Sequence, residues 1–226
     1  MRLGALFSGG KDSCLAIHKA QAFHEISCLI SLIPSSEESY IFHYPNIWVT
    51  RFQAEAMGLP IIQMETEIGE EKELTSLSKA LKLAIKRYGI NGVITGAIKS
   101  TYQVSRIQKI CNRLGLWCFN PLWLKSQEEL MREILKIGFE VIISGIFAYP
   151  LDSSFLGRRL DTNLLAELIN LWRKYGINIA GEGGEIETTV LDAPMFKKRI
   201  KVTDYEIQYR DNSGIFKIKS LRLVDK

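Results

Sequence analysis

The sequence predicts an α/β protein, with a parallel sheet in the first half of the chain and a smaller α+β half behind it. Three observations carry this. Short apolar runs alternate with amphipathic stretches as far as Ile146, a glycine pair separates the first run from the first helical stretch, and the tail changes to a period of two. At 226 residues, 46% hydrophobic and 24% charged, the chain can bury a core as one large domain or one domain with a small companion.

The elements follow in order. Arg2 to Phe7 is a short apolar strand, and Lys11 to Phe23 carries Leu15, Ile17 and Ala20 at helical spacing. Ser27 to Ile33 is the next buried strand. After Pro34 the polar "SSEES" and then "YIFHYP" read as an irregular excursion, and Asn46 is placed to cap a helix through Met57 that stops at Gly58 and Pro60. "IIQME" is a third strand. Leu74 to Tyr88 is an amphipathic helix closed by Gly89, "GVIT" a fourth strand, Ser100 to Leu114 a helix closed by Gly115, and "LWCF" a fifth strand. Ser126 with Glu129 makes a capping-box pattern that opens a helix to about Ile137, and "EVIISGI" is a sixth strand. Strands separated by helices of this length predict a parallel sheet covered on both faces, right-handed crossovers, and ligands beyond the C-terminal strand ends. Asn163 to Tyr175 is a further helix, and "GINIAGEGGEIETTVLDAP" reads as a loop. "KVTDYEIQYR" and "IFKIKSLRLV" are antiparallel strands around "DNSG", where Asn212 and Gly214 suit a hairpin turn. The division is placed near residue 120, giving domains 1–120 and 121–226, with no linker, repeat or low-complexity segment to sharpen it.

Composition excludes several classes. No apolar run reaches the roughly 18 to 20 residues that cross a bilayer, and Met1-Arg2-Leu3 leads straight into a strand, so a cytoplasmic location without membrane contact is expected. A net charge of +4, spread along the chain, permits an anionic substrate and gives no reason to expect a nucleic-acid partner. Cys14, Cys28, Cys111 and Cys118 are scattered, without C-x-x-C pairs or zinc spacing, and read as small apolar residues of a reduced interior.

The chemistry begins at "LFSGGKDSCLA", residues 6 to 16. A loop that leaves a parallel strand and enters a helix gathers backbone N–H groups and the positive end of the helix dipole around one point, which makes an anion site. Gly9 and Gly10 let the backbone approach that anion, Ser8 and Ser13 offer hydroxyl donors, Lys11 brings a full charge, and Asp12 suits a first helical turn. The loop is neither the Walker pattern nor G-x-G-x-x-G. It resembles the S-G-G-x-D-S pyrophosphate loop of the adenylating ATP pyrophosphatases. That resemblance implies a Rossmann-like PP-loop domain of the HUP class that binds ATP and Mg²⁺, with Asp12 positioning the metal, and it implies attack on the α-phosphorus with release of pyrophosphate.

Two further stretches stand out. In "GAIKSTYQVSRIQKIC", residues 96 to 111, Gly96 lets the chain pass close to a ligand at a strand end, and Ser100, Tyr102, Gln103 and Arg106 supply donors and a fixed charge. In "GEGGEIETTVLDAP", residues 181 to 194, Glu182, Glu185 and Glu187 crowd around Gly183 and Gly184, which costs Coulomb energy unless a cation or donors are present. Such carboxylates can bind ammonium, deprotonate it or hold a metal, and the residues alone do not separate these roles. With "PLW" after the fifth strand, these motifs are similar to those of the diphthine–ammonia ligase family over essentially the whole chain. Ile186 stands where family members carry Tyr.

What the resemblance implies is an amide ligase that activates the diphthine carboxylate of elongation factor 2 as an acyl-adenylate and passes it to free ammonium. Lys11, Asp12, Glu182, Glu185 and Glu187 would then be catalytic, and Ser8, Gly9, Gly10, Ser13, His43, Gly96, Ser100, Tyr102, Gln103 and Arg106 would join Lys11 and Asp12 at the nucleotide. Asp152, Gly157, Arg158 and Asp161 of "LDSSFLGRRLD", with Gly183, Gly184 and Thr188, are expected at the acceptor. The chain would be a minimal ligase core, and a homodimer is left open. Competing readings keep the ATP site but assign tRNA thiolation, another small carboxylate, or a nucleotide-binding regulator; thiolation is weakened by the absence of paired catalytic cysteines and of a strongly basic surface.

Overall fold

The protein is described by a computed structural model covering residues 1–34, 46–67 and 69–226. The first half runs β1 (Arg2–Leu6), α1 (Lys11–Ala20), β2 (Glu25–Pro34), α2 (Thr50–Met57) after a 3₁₀ turn at Ile47–Val49, β3 (Ile61–Thr66), α3 (Glu70–Tyr88), β4 (Gly92–Ile94), α4 (Thr101–Arg113) and β5 (Trp117–Phe119). All five strands are parallel, in the order β3-β2-β1-β4-β5. The chain therefore reverses its direction of travel across the sheet between β1 and β4. In a doubly wound sheet that reversal opens a crevice at the carboxyl ends of the two strands.

The rest is α5 (Gln127–Ile137), β6 (Glu140–Ile146), α6 (Thr162–Tyr175), β7 (Ile186–Asp192), β8 (Lys198–Arg210) and β9 (Ser213–Asp225). β6 does not extend the parallel sheet, as the alternation suggested. It pairs antiparallel with β7 and β9 in a second sheet of order β7-β6-β9-β8. β7 itself lies inside the stretch read as a loop, because its pairing partner is distant in sequence and its glycines precede the strand rather than follow it. α5 opens with the capping box, Ser126 Oγ accepting from Glu129 N at 3.2 Å. The hairpin turn falls on Asp211 and Asn212, at φ 49° and 60°, while Gly214 is a strand residue opposite Tyr209.

Two apolar clusters hold these layers. One covers α3 and α4 against the outer face of the parallel sheet through Ile30, Ile62, Leu81 and Ile110. The larger runs without a break from Leu3, Leu15 and Ala54 into Leu130, Ile146, Leu165 and Phe216. The two sheets thus share one buried core, in which a fully buried Leu or Ile contributes about 1.5–3 kcal/mol.

Asn46 does not cap a helix. Its backbone is left-handed, φ 68°, and its side chain makes no cap bond. It binds the free edge of β9 instead, Nδ2 donating to Phe216 O at 2.9 Å and Oδ1 accepting from Ile218 N at 2.7 Å. Asn46→Ala removes both bonds and leaves the left-handed backbone, and should lower stability by about 1–3 kcal/mol. The check is the midpoint of urea unfolding, and an unchanged midpoint would contradict this clamp.

Candidate active site

The loop after β1 enters α1 at Gly10, its N-cap, which has no side chain to satisfy the N–H groups of the first turn. Ser8 Oγ lies 3.3 Å from Ser13 Oγ, and Ser13 Oγ donates to Gly10 O at 3.0 Å. Gly9 has φ 80° and turns inward. A Cβ there would stand 2.3 Å from Gln53 Oε1. Gln53, fully buried on α2, donates from Nε2 to Gly9 O and to Val190 O, both at 2.8 Å. Val190 N donates to the same Gly9 carbonyl at 3.1 Å. Lys11 N donates to Thr188 Oγ1 at 3.2 Å. The loop is therefore built on β7 of the second sheet as much as on its own strand.

Lys11 is 2% exposed, and its Nζ donates to Asp12 Oδ2 at 2.8 Å and to the carbonyl of Ala180. The other oxygen of Asp12 is buried without a partner, and burial pushes this carboxyl up against the pull of Lys11. Gly96, after β4, backs onto the same helix start. A Cβ on it would lie 2.8 Å from Ser13 N and 2.9 Å from Asp12 C.

The acidic loop closes the opposite wall. Glu182 accepts from Ile98 N at 3.2 Å and Lys99 N at 2.9 Å, one bond to each oxygen, which ties the loop to the turn after β4. Desolvation pushes Glu182 up in spite of these bonds. Glu185 accepts from Asn178 N at 3.3 Å and folds over Gly183, where a Cβ would meet its carboxylate at 2.6 Å. Glu187, on β7, is pushed up to about 7 by burial, with Lys11 pulling it down and Asp12 adding to the rise. Ile186 is buried in the shared core and also lines the cleft, so the position where a Tyr was expected presents an apolar wall here.

These walls enclose a cleft of about 690 Å³ at the β1/β4 reversal, a size typical of small-molecule sites. Ser8, Gly10, Lys11, Asp12, Ser13, Gly96, Tyr102, Gln103, Arg106, Glu182, Gly183, Gly184, Glu187 and Thr188 line it. Gly9, Ser100 and Glu185 stand behind the wall, Ser100 as the N-cap of α4 accepting from Gln103 N at 3.3 Å. His43 lies outside the described residues.

Four residues expected at the acceptor are not brought to the cleft. Asp152 caps a 3₁₀ turn by accepting from Ser154 N at 2.8 Å, and Asp161 caps α6 by accepting from Leu164 N at 2.7 Å. Arg158 pairs with Glu167 at 2.8 Å, and Gly157 packs under the Phe216 ring. Glu70, which sequence reasoning missed, belongs to the cleft. From the first turn of α3 it accepts from Tyr102 Oη and Arg106 Nε, each at 2.5 Å, while the Arg106 guanidinium lies 3.3 Å from the centre of the Tyr102 ring. Its signal was an acidic first turn beside a site rich in cations. Gln53 carried none, because a polar residue on a short helix normally faces solvent.

Residues 1–118 match the family model "Diphthamide synthase N-terminal domain", and residues 126–224 match "Diphthamide synthase C-terminal domain". The chain is 34% identical to the diphthine–ammonia ligase of Homo sapiens, covering 100% of this chain and 91% of that protein. It is 36% identical to the diphthine–ammonia ligase of Rattus norvegicus, with 99% and 91% covered. The diphthine–ammonia ligase of Schizosaccharomyces pombe is 33% identical over 97% of this chain, which spans 39% of that longer protein.

The raised carboxyl of Glu187 makes stability depend on pH. Its folded-state value, about 7, lies above the ordinary 4.5, so between those values the native state holds the proton that the unfolded chain has lost. Stability falls as pH rises through this window. Glu187→Gln removes the effect, so the variant should gain on the wild type from pH 4.5 to 7 and hold a constant lead above it. Urea unfolding at the two ends of the window checks this, and a pH-independent difference would contradict it.

Proposed function

The chain belongs to the diphthamide synthase family, and on that premise we propose that it is an ATP-dependent ligase. It converts the carboxylate of diphthine, on elongation factor 2, to the amide of diphthamide with ammonium as nitrogen donor, releasing AMP and pyrophosphate. One observation carries the reading: an open helix start with its glycine loop faces a wall of carboxylates across a single cleft. Phosphates need the first, and an ammonium ion needs the second.

The residues fit ATP and Mg²⁺. A side chain at Gly10 or Gly96 would crowd the helix start, the Asp12 oxygen without a partner points to a missing cation or donor, and Lys11 Nζ keeps one of its three N–H donors for a phosphate oxygen. Among the described residues no three His, Cys, Asp or Glu side chains form a metal cage. Mg²⁺ commonly relies on one or two carboxylates and substrate phosphates, and Asp12 would hold it in that way. ATP supplies the activation, turning a carboxylate with a poor leaving group into an acyl-adenylate. Ser8, Ser13 and the N–H groups of the α1 first turn bind and orient the phosphates, and Lys11 offsets their charge. Arg106, which pairs with Glu70 on the cleft wall, adds a fixed positive charge for them. Among the described residues no helix is long and apolar enough to cross a membrane.

Incubation of the protein with α-labelled ATP should give AMP and pyrophosphate only when both ammonium and diphthine-bearing elongation factor 2 are present. A Ser8→Ala/Lys11→Ala variant should be slower by about a hundredfold or more. ATP that binds but is never split under these conditions would contradict the ligase and leave another acceptor or a nucleotide sensor. Glu70→Gln frees Arg106 from a partly exposed ion pair and should tighten ATP binding by about fivefold. Calorimetric titration reads this, and weaker binding in the variant would show that Glu70 positions Arg106 instead of restraining it.

A further inference from the structure

The three glutamates of the acidic loop are equivalent in sequence and not in space. Glu182 spends one oxygen on Ile98 N and the other on Lys99 N, so its carboxylate fastens the loop to the turn after β4. Glu185 is folded back over Gly183 toward Asn178 N and lies behind the wall. Glu187 alone combines a place on the cleft wall with a carboxylate that has no hydrogen-bond or ion-pair partner among the described residues. It is also the one carried by a strand. β7 pairs with β6 at Gly145, where a Cβ would meet the Phe147 ring at 2.7 Å and the Glu187 Cβ at 3.1 Å, so the absent side chain leaves space for both. Its neighbour Thr188 accepts the Lys11 N–H, which puts Glu187 one residue from the anchor of the phosphate loop.

We propose that Glu187 is the general base that takes a proton from ammonium and delivers neutral ammonia to the activated acyl carbon. The inference rests on the ligase reading above. Ammonium has no lone pair, so one N–H bond must break before a C–N bond can form. The proton passes to the Glu187 carboxylate, giving the neutral acid and ammonia. The nitrogen lone pair then forms the C–N bond, the C–O bond to AMP breaks, and AMP leaves with that electron pair. A second proton leaves nitrogen for solvent as the amide forms. The charged groups facing Glu187 are Lys11 and Asp12, both from α1. Burial holds its carboxyl near neutrality, which suits a group that must accept a proton at working pH and lose it again.

Hydroxylamine separates the base from every structural role, because it is neutral at neutral pH and brings its lone pair without losing a proton first. The full chain, with ATP, Mg²⁺ and diphthine-bearing elongation factor 2, is assayed for AMP with each nucleophile. Glu187→Gln should lose about a hundredfold with ammonium and stay within a few-fold of wild type with hydroxylamine. Its ammonium rate should recover as pH is raised from about 7 to 9 and free ammonia accumulates. Glu187→Asp, which keeps a base at shorter reach, should fall between the wild type and Glu187→Gln with ammonium. Parallel loss with both nucleophiles, or full ammonium activity in Glu187→Gln, overturns the proposal. A wild type that forms no AMP with either nucleophile overturns the ligase reading and removes this inference with it.

Discussion

The two donors of Gln53 Nε2 organise the molecule. One reaches Gly9 O in the loop after β1 and the other reaches Val190 O in β7, and the Val190 N–H closes on the same Gly9 carbonyl. A buried amide without partners costs on the order of 1–3 kcal/mol, so this side chain holds its place only while both carbonyls do. Its position fixes the left-handed turn at Gly9. It also seats the outer strand of the second sheet against the phosphate loop, and with that strand come Thr188, Glu187 and the glycine loop before them. The cleft is therefore a product of how two sheets meet, and their shared apolar core holds them together.

The electrostatics of the cleft follow from that meeting. Asp12, Glu182 and Glu187 all have carboxyls pushed up, each chiefly by desolvation, around the buried ammonium of Lys11. A folded chain gains nothing from carboxylates in such surroundings, and the Asp12 oxygen without a partner is a further cost. Clusters of perturbed acids in a cleft are where physical strain and chemistry coincide, because a bound cation relieves it.

How much of this was legible in the sequence depended on the range of the signal. The strand, glycine loop and helix at residues 2–20 and the Ser126 capping box are local patterns, and the chain folds as they read, whereas the close approach of Gly96 is to the backbone of Asp12 and Ser13, far away in sequence. β7 was hidden because its pairing with β6 is made across a long separation in sequence, and its preceding glycines look like loop. Asn46 has the composition of a helix cap, but its left-handed backbone turns the side chain to β9. Asp152 and Asp161 cap a 3₁₀ turn and α6, and in the sequence an aspartate before a helical turn has the same appearance whether it caps the turn or meets a ligand. The sorting of Glu182, Glu185 and Glu187 needed coordinates, because their roles differ only in which backbone N–H groups reach them.

The most direct test of this account is the affinity for ATP, by titration calorimetry, of a Gln53→Met variant that conserves volume and removes the two donors. The account predicts that affinity falls by at least about tenfold while the variant remains folded by circular dichroism, because the loop loses the side-chain bridge from Gly9 O to Val190 O and keeps only its direct bonds to Val190 N and Thr188 Oγ1. Wild-type affinity in a folded variant would contradict it, and would mean that the phosphate loop is shaped by the first sheet alone.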